Sequence, residues 1–242
     1  GPTGSRKSTT LYSILDKLNQ EHVNISTAED PVEYELEGIN QVQCKPDIGL
    51  TFAASLRSFL RQDPDIIMVG EVRDGETAEI SIKAALTGHL VLSTLHTNDA
   101  PSSIHRLLNM GVEPFLISAS VSMVIAQRLV RKICPHCIGK DGKSANKLMA
   151  MDLNKNDYEG INFQIGAGCG NCNNTGYKGR SVIYEIMEVD DEMKTLISGT
   201  TTSIEIKDLA VKKGMDTLRE SGMKKAILGV TSLDEVMRVT LS

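Results

Sequence analysis

Apolar residues recur along this chain with two periods, and the switches between them mark its elements. Leu11, Ile14, Leu15 and Leu18 fall at helical spacing and predict a helix over residues 8–21. Residues 23–28 predict a short strand, closed by Glu29-Asp30-Pro31, where Pro31 interrupts regular pairing. Residues 38–45 alternate as a strand does. Phe52, Leu56, Phe59 and Leu60 then predict a helix over 51–62, with Arg57 and Arg61 at i and i+4 on another face. Asp63-Pro64-Asp65 breaks that helix. Ile66-Ile67-Met68-Val69 is wholly apolar, the pattern of a strand buried on both faces of a parallel sheet. A helix over 76–86 and a second apolar strand over 90–95, ending near His96, complete a βαβ unit. Helices are predicted around 100–109, 114–122 and 123–131. Residues 134–172 are loop-rich and bear lysines, 180–189 predict a strand, and 191–198, 203–213, 215–228 and 232–240 predict short helices. No repeat or low-complexity segment interrupts this order.

Composition narrows the picture. The 242 residues are 40% apolar and 24% charged, as in ordinary globular proteins. A net charge of −5 excludes a global basic footprint for nucleic acid. No apolar run approaches the roughly 20 residues of a membrane span, and no signal sequence is present, so a cytoplasmic protein is expected. The chain opens on Gly1 with no strand before it, although a phosphate loop normally follows one. A preceding strand and a further domain are therefore expected outside this sequence.

Residues 1–9, GPTGSRKST, follow the pattern G-x-x-x-x-G-K-[ST] with one departure. In such a loop, backbone N–H groups converge on phosphate, the lysine reaches the terminal phosphates and the Ser/Thr hydroxyl meets Mg²⁺. Gly1, Lys7 and Ser8 fit; Arg6 stands where glycine is required. A side chain there is expected to strain the loop or crowd the phosphate, while its charge favours an anion. Gly1, Thr3, Gly4, Ser5, Lys7, Ser8 and Thr9 are the expected nucleotide contacts, with Ser8 also on Mg²⁺.

An ATPase further needs an acid near the metal and water, and cations that neutralise transferring phosphate. Glu71 ends an apolar strand where such an acid would stand. Glu29, Asp30 and His96 end other strands, and in open parallel sheets the strand C-termini converge on the ligand crevice.

Cys134-Pro135-His136-Cys137 and Cys169-Gly170-Asn171-Cys172 are two C-x-x-C knuckles. Two such turns can supply the four thiolates of a closed, tetrahedral, structural Zn²⁺ site. His136 is a conceivable alternative ligand, and Cys44 reads as a small strand residue. Basic residues cluster near the knuckles, but the scarcity of aromatics argues against base stacking and so against nucleic acid.

GPTGSxKSTTLY, AEDPVEY, LRSFLRQDPDIIMVGEVRD and GHLVLSTLHTNDAP resemble, in order and spacing, the Walker A, Asp box, Walker B and His box of the secretion ATPase superfamily, which powers type IV pilus extension and type II secretion. The resemblance implies an α/β, RecA-like P-loop core with a mainly parallel sheet over 1–132. It also implies a zinc-binding C-x-x-C insertion over 133–180, and a strand plus helical region over 181–242. By resemblance Glu71 is the Walker B glutamate, Glu29 and Asp30 polarise water or support Mg²⁺, and His89 and His96 are His-box residues linking the γ-phosphate to a ring. Arg57 and Arg61 neutralise phosphate. ATP, Mg²⁺ and Zn²⁺ are the implied cofactors, a homo-hexamer and an inner-membrane platform protein the implied partners, and the cytoplasmic face of that membrane the implied location. Three functions are expected in turn: an ATPase for pilus assembly, its type II secretion relative, and a hydrolysis-impaired ring subunit disabled by Arg6. Net acidity weighs against a nucleic-acid translocase.

Overall fold

A computed structural model describes residues 1–151, 153–199 and 201–241. The chain divides into two units, Gly1–Val124 with Met187–Lys213, and Ile125–Ile186 with Gly214–Ser242.

In the first unit, α1 (Lys7–Leu18) follows the phosphate-loop sequence and buries Leu11, Tyr12 and Leu15. Strand β1 (Ile25–Glu29) is buried at every position, and β2 (Asn40–Gln43) pairs beside it. Helix α2 (Phe52–Phe59) opens on Thr51, whose side chain accepts from Ala54 N–H, so one orphan amide of the first turn is satisfied. Strand β3 (Ile66–Val69) is fully buried, as its unbroken apolar run predicts. Helix α3 (Gly75–Leu86) is capped by Asp74, and β4 (Leu90–Ser93) follows. The sheet order is β2-β1-β3-β4, all parallel, with Ile25 opposite Ile66 and Ile66 opposite Leu90. Leu11, Tyr12 and Leu15 pack with Ile25, Ile66 and Met68 in one core beneath α1. Proline opens both α4 (Pro101–Asn109) and α5 (Pro114–Ser120), where its missing N–H costs nothing.

Residues 123–131, expected as a helix, instead begin the long strand β5 (Met123–Ile133). Its burial does not alternate strictly, since Ala126 and Gln127 are both buried, and that mimics helical spacing. Pairing with a distant strand decides the outcome, because strand preference depends on its neighbours more than on local sequence. After β5 come β6 (Ile138–Lys140), α6 (Ser144–Ala150), β7 (Gln164–Gly166) and β8 (Tyr177–Glu188). β5 pairs with β8, and β6 runs antiparallel to β7. Helices α7 (Asp191–Ser198) and α8 (Ser203–Lys212) belong to the first unit, where α7 packs on α5. Helices α9 (Leu218–Ile227) and α10 (Leu233–Thr240) complete the second. Thr202 with Glu205 and Thr217 with Glu220 form reciprocal capping boxes at the starts of α8 and α9.

The core of the second unit joins Leu148, Met151 and Phe163 to Met223, Ala226, Leu233 and Val236. Glu235 is fully buried there and holds two arginines: Arg131 at 2.7 Å and Arg238 at 2.6 Å. The Arg131 guanidinium also lies 4.1 Å from the centre of the Tyr177 ring. Among the described residues no helix is long and apolar enough to cross a membrane.

Candidate nucleotide site and cysteine cluster

Because β1, β3 and β4 are parallel, Glu29, Gly70-Glu71 and Thr94 to His96 emerge at one edge of the sheet. The loop before α1 lies at that edge. Between them is a cavity of about 760 Å³, within the range of roughly 300–1,000 Å³ usual for small-ligand pockets. Its walls include Thr3, Gly4, Arg6, Lys7, Ser8 and Thr9 from the loop, and Glu29, Asp30, Glu71 and His96 from the strand ends. Gly1 and Ser5 are buried within the same loop and are not among its walls.

Lys7 Nζ donates to the carbonyls of Gly1 at 2.7 Å and Pro2 at 3.2 Å, which holds the ammonium over the loop. Burial pushes its pKa below the ordinary lysine value, and the charge of Glu71 offsets part of that. Arg6 keeps the glycine-like conformation the loop requires, at φ 65° and ψ 41°, with an exposed side chain. The expected strain is therefore real, and it sits in the backbone.

Glu71 is buried and both its oxygens are engaged. Oε1 meets Arg73, and Oε2 lies 3.1 Å from His96 Nε2. The position before it, Gly70, is closely packed: a Cβ there would stand 3.2 Å from the Ala28 carbonyl oxygen, so a side chain would require a small shift of β1. Glu29 is also buried, accepting from Tyr12 Oη, from Thr27 Oγ1 at 2.7 Å and from Gln41 Nε2 at 3.1 Å. Asp30 is exposed at the cavity.

Three predicted residues lie elsewhere. His89 precedes β4, at the opposite end from His96, and its Nδ1 is 2.9 Å from the Ala84 carbonyl at the end of α3. Arg57 pairs with Glu76 of α3 on the surface, and neither Arg57 nor Arg61 lines the cavity. Conversely Tyr12, Tyr34, Phe52 and Arg73 line it, and none of them is singled out by a motif in the sequence. Tyr12 was visible only as an aromatic within the helical stripe, and Arg73 only as a charge two residues after Glu71.

In the second unit the sulfurs of Cys134, Cys137, Cys169 and Cys172 all lie within 4.8 Å of one another. Cys134 to Cys169, Cys137 to Cys172 and Cys169 to Cys172 measure 3.9, 3.8 and 3.7 Å. A tetrahedron with metal–sulfur bonds of about 2.3 Å has edges of about 3.8 Å, so the four sulfurs fit one such ion. Burial alone would raise the Cys172 thiol, but N–H groups of Cys169 and Gly176 donate to its sulfur and bring it down to about 6. Gly166 and Gly176 face each other so closely that a Cβ on Gly176 would stand 2.5 Å from the Gly166 carbonyl oxygen. The knuckles are joined by backbone hydrogen bonds, Cys134 N–H donating to the Gly176 carbonyl and Ala167 N–H to the Cys137 carbonyl, both at 2.9 Å. His136 is exposed and stands outside the cluster.

A parallel sheet whose strand ends meet a Lys-Ser loop at a helix start defines an α/β fold of the P-loop class, here carrying a tetracysteine cluster. The family described as "Type II/IV secretion system protein" matches residues 1–238, and the chain belongs to it. It is 54% identical over 239 residues to the type IV pilus assembly ATPase PilB of Myxococcus xanthus, covering 98% of this chain and 42% of that protein. PilB of Acinetobacter baylyi is 55% identical over 242 residues, with 99% and 42% covered. The type II secretion system protein E of Klebsiella pneumoniae is 50% identical over 242 residues, with 99% and 47% covered. The chain thus spans less than half the length of these relatives. Its fold is that of the pilus retraction motor PilT, solved with bound ADP, at a TM-score of 0.73 and 30% identity over 100% of this chain and 60% of that one.

Proposed function

We propose that this chain is the nucleotide-hydrolysing part of a motor that drives type IV pilus assembly. The observation that carries this reading is the convergence of Lys7, Ser8, Asp30, Glu71 and His96 on one cavity at the sheet edge. In it Lys7 and the loop amides bind the phosphates, Ser8 meets Mg²⁺, and Glu71 orients the attacking water. Bound Mg²⁺ would neutralise charge on the transferring phosphoryl group. His96, on Glu71, senses the terminal phosphate.

Arg57 and Arg61 lie outside the cavity, so contact with phosphate assigns them to a neighbouring subunit's site in a hexameric ring. His89, at the far end of β4, takes its part in such a ring away from this cavity. In this reading the chemistry belongs to residues 1–132 and a structural Zn²⁺ to 133–180, while 181–242 supply the strand and helices that complete the fold. The partner is an inner-membrane platform protein reached from the cytoplasmic side. ATP turnover by the full chain, lost in Glu71→Gln, tests the enzymatic reading, and rescue of pilus assembly rather than secretion in a deletion strain tests the branch. Failure to rescue pili, with rescue of secretion, would move the assignment to the type II branch.

A second reading is favoured by one observation, an Arg6 side chain at the wall of the cavity where phosphate would lie. There the loop binds nucleotide poorly and the chain serves as a ring component. ATP affinity of wild type against Arg6→Gly distinguishes the two.

A further inference from the structure

We propose that Tyr12 and Glu29 are a positioning pair that fixes the loop carrying Asp30, and that, of these two adjacent carboxylates, Asp30 and not Glu29 reaches the nucleotide. This rests on the ATPase reading above.

Glu29 is 3% exposed and its oxygens are taken by internal donors. Oε2 accepts from Tyr12, and Oε1 accepts from Thr27 and Gln41. Turning Glu29 toward a metal or water would leave the Tyr12 hydroxyl, itself in a side chain only 1% exposed, without its acceptor. Asp30, one residue further, is exposed at the cavity and carries no such load.

The network reaches beyond Glu29. Tyr12 Oη also receives Glu33 N–H at 3.2 Å, Gln41 Nε2 donates to the Tyr34 carbonyl at 3.2 Å, and Gln41 Oε1 accepts Leu36 N–H at 2.6 Å. Residues 33–36 are therefore held at three backbone points. The Tyr34 ring stands edge-on to Tyr12, with centroids 4.7 Å apart. Since Tyr12 lies on α1, five residues after Lys7, the helix that begins at the phosphate loop and the loop that presents Asp30 move as one piece. Burial and the neighbouring Glu29 push the Tyr12 phenol above the ordinary tyrosine value, as a hydroxyl kept as a donor requires.

Steady-state ATP turnover and urea midpoints of the full chain test the proposal. Asp30→Asn is expected to lower kcat by about 100-fold with its midpoint unchanged. Tyr12→Phe keeps the ring and its packing, and is expected to lower kcat about tenfold while KM for ATP stays within about twofold. Tyr12→Phe with Glu29→Gln is expected to be no worse than the worse single variant, because both interrupt one network. Should Tyr12→Phe not fold, Gln41→Met interrupts the network from β2 with the same kinetic split expected. The proposal is overturned if Glu29→Gln abolishes turnover while Tyr12→Phe and Asp30→Asn leave kcat unchanged. Glu71→Gln serves as the separate control: full turnover in that variant sinks the ATPase reading and not the Tyr12–Glu29 coupling, which the midpoints still report.

Discussion

His96 Nε2 lies 3.1 Å from Glu71 Oε2, joining the ends of β4 and β3 across the sheet edge. The contact gives the imidazole a fixed partner and gives the buried carboxylate one of its two anchors, Arg73 being the other. Removing the acid and removing its anchor should therefore differ in kind. Glu71→Gln is expected to lower kcat by at least about 100-fold while ATP binding persists. His96→Ala is expected to lower kcat by about tenfold, because Arg73 still orients Glu71. Single-turnover kinetics with a separate ATP-binding titration check both, and equal losses would refute the ranking.

Arg6 stores strain in a loop that glycine would relax. A non-glycine residue in the left-handed region costs roughly 1–2 kcal/mol, and glycine returns about 0.5–1 kcal/mol of that as chain entropy. Arg6→Gly is expected to change stability by no more than about 1 kcal/mol, in the stabilising direction, by urea denaturation. ATP affinity is expected to rise, since the side chain at the cavity wall is gone. An unchanged affinity would mean that the exposed Arg6 side chain already clears the phosphate.

The contrast between α1 and β5 shows what could be read in advance. α1 declares itself through Leu11 and Leu15 at helical spacing, and β3 through an unbroken apolar run, because both signals are local. The strand ends then place Glu71, Asp30 and His96 at one edge by topology alone. β5 carries no such local signal: its partner β8 begins at Tyr177, and nothing near β5 in the sequence encodes that pairing. The Tyr12 network was invisible for the same reason: it depends on the β1–β2 register that sets Thr27 opposite Gln41. His89 shared a motif with His96, yet the four residues of β4 carry them to opposite ends of the strand.

The four-cysteine cluster makes a metal content that can be counted. The full chain is expected to carry one zinc per subunit by elemental analysis. Cys137→Ser is expected to lose the metal and lower the unfolding midpoint of the second unit, because a metal bound only by the folded state stabilises it by mass action. Strong chelation should reproduce the effect in the wild type and add nothing in the variant. Full metal retention by Cys137→Ser would show that this thiolate is not a ligand.

Glu235 supplies a pH dependence of defined sign. Burial would raise its pKa, but ion pairs and hydrogen bonds from Arg238 and Arg131 outweigh this and bring it down to about 2. A carboxylate depressed in the folded state stabilises it fully above its unfolded value, near 4.3, and loses that contribution as pH falls through the folded value. The depression is worth roughly 3 kcal/mol at neutral pH. Glu235→Gln is therefore expected to be destabilised by a constant amount from neutral pH down to about 4.5. Between about 4.5 and 2 the gap to wild type should shrink, because the protonated glutamic acid comes to resemble the amide it is compared with. Urea midpoints for both proteins across that range give the test, and a gap that widens on acidification would show that Arg131 and Arg238 do not hold Glu235 as an anion.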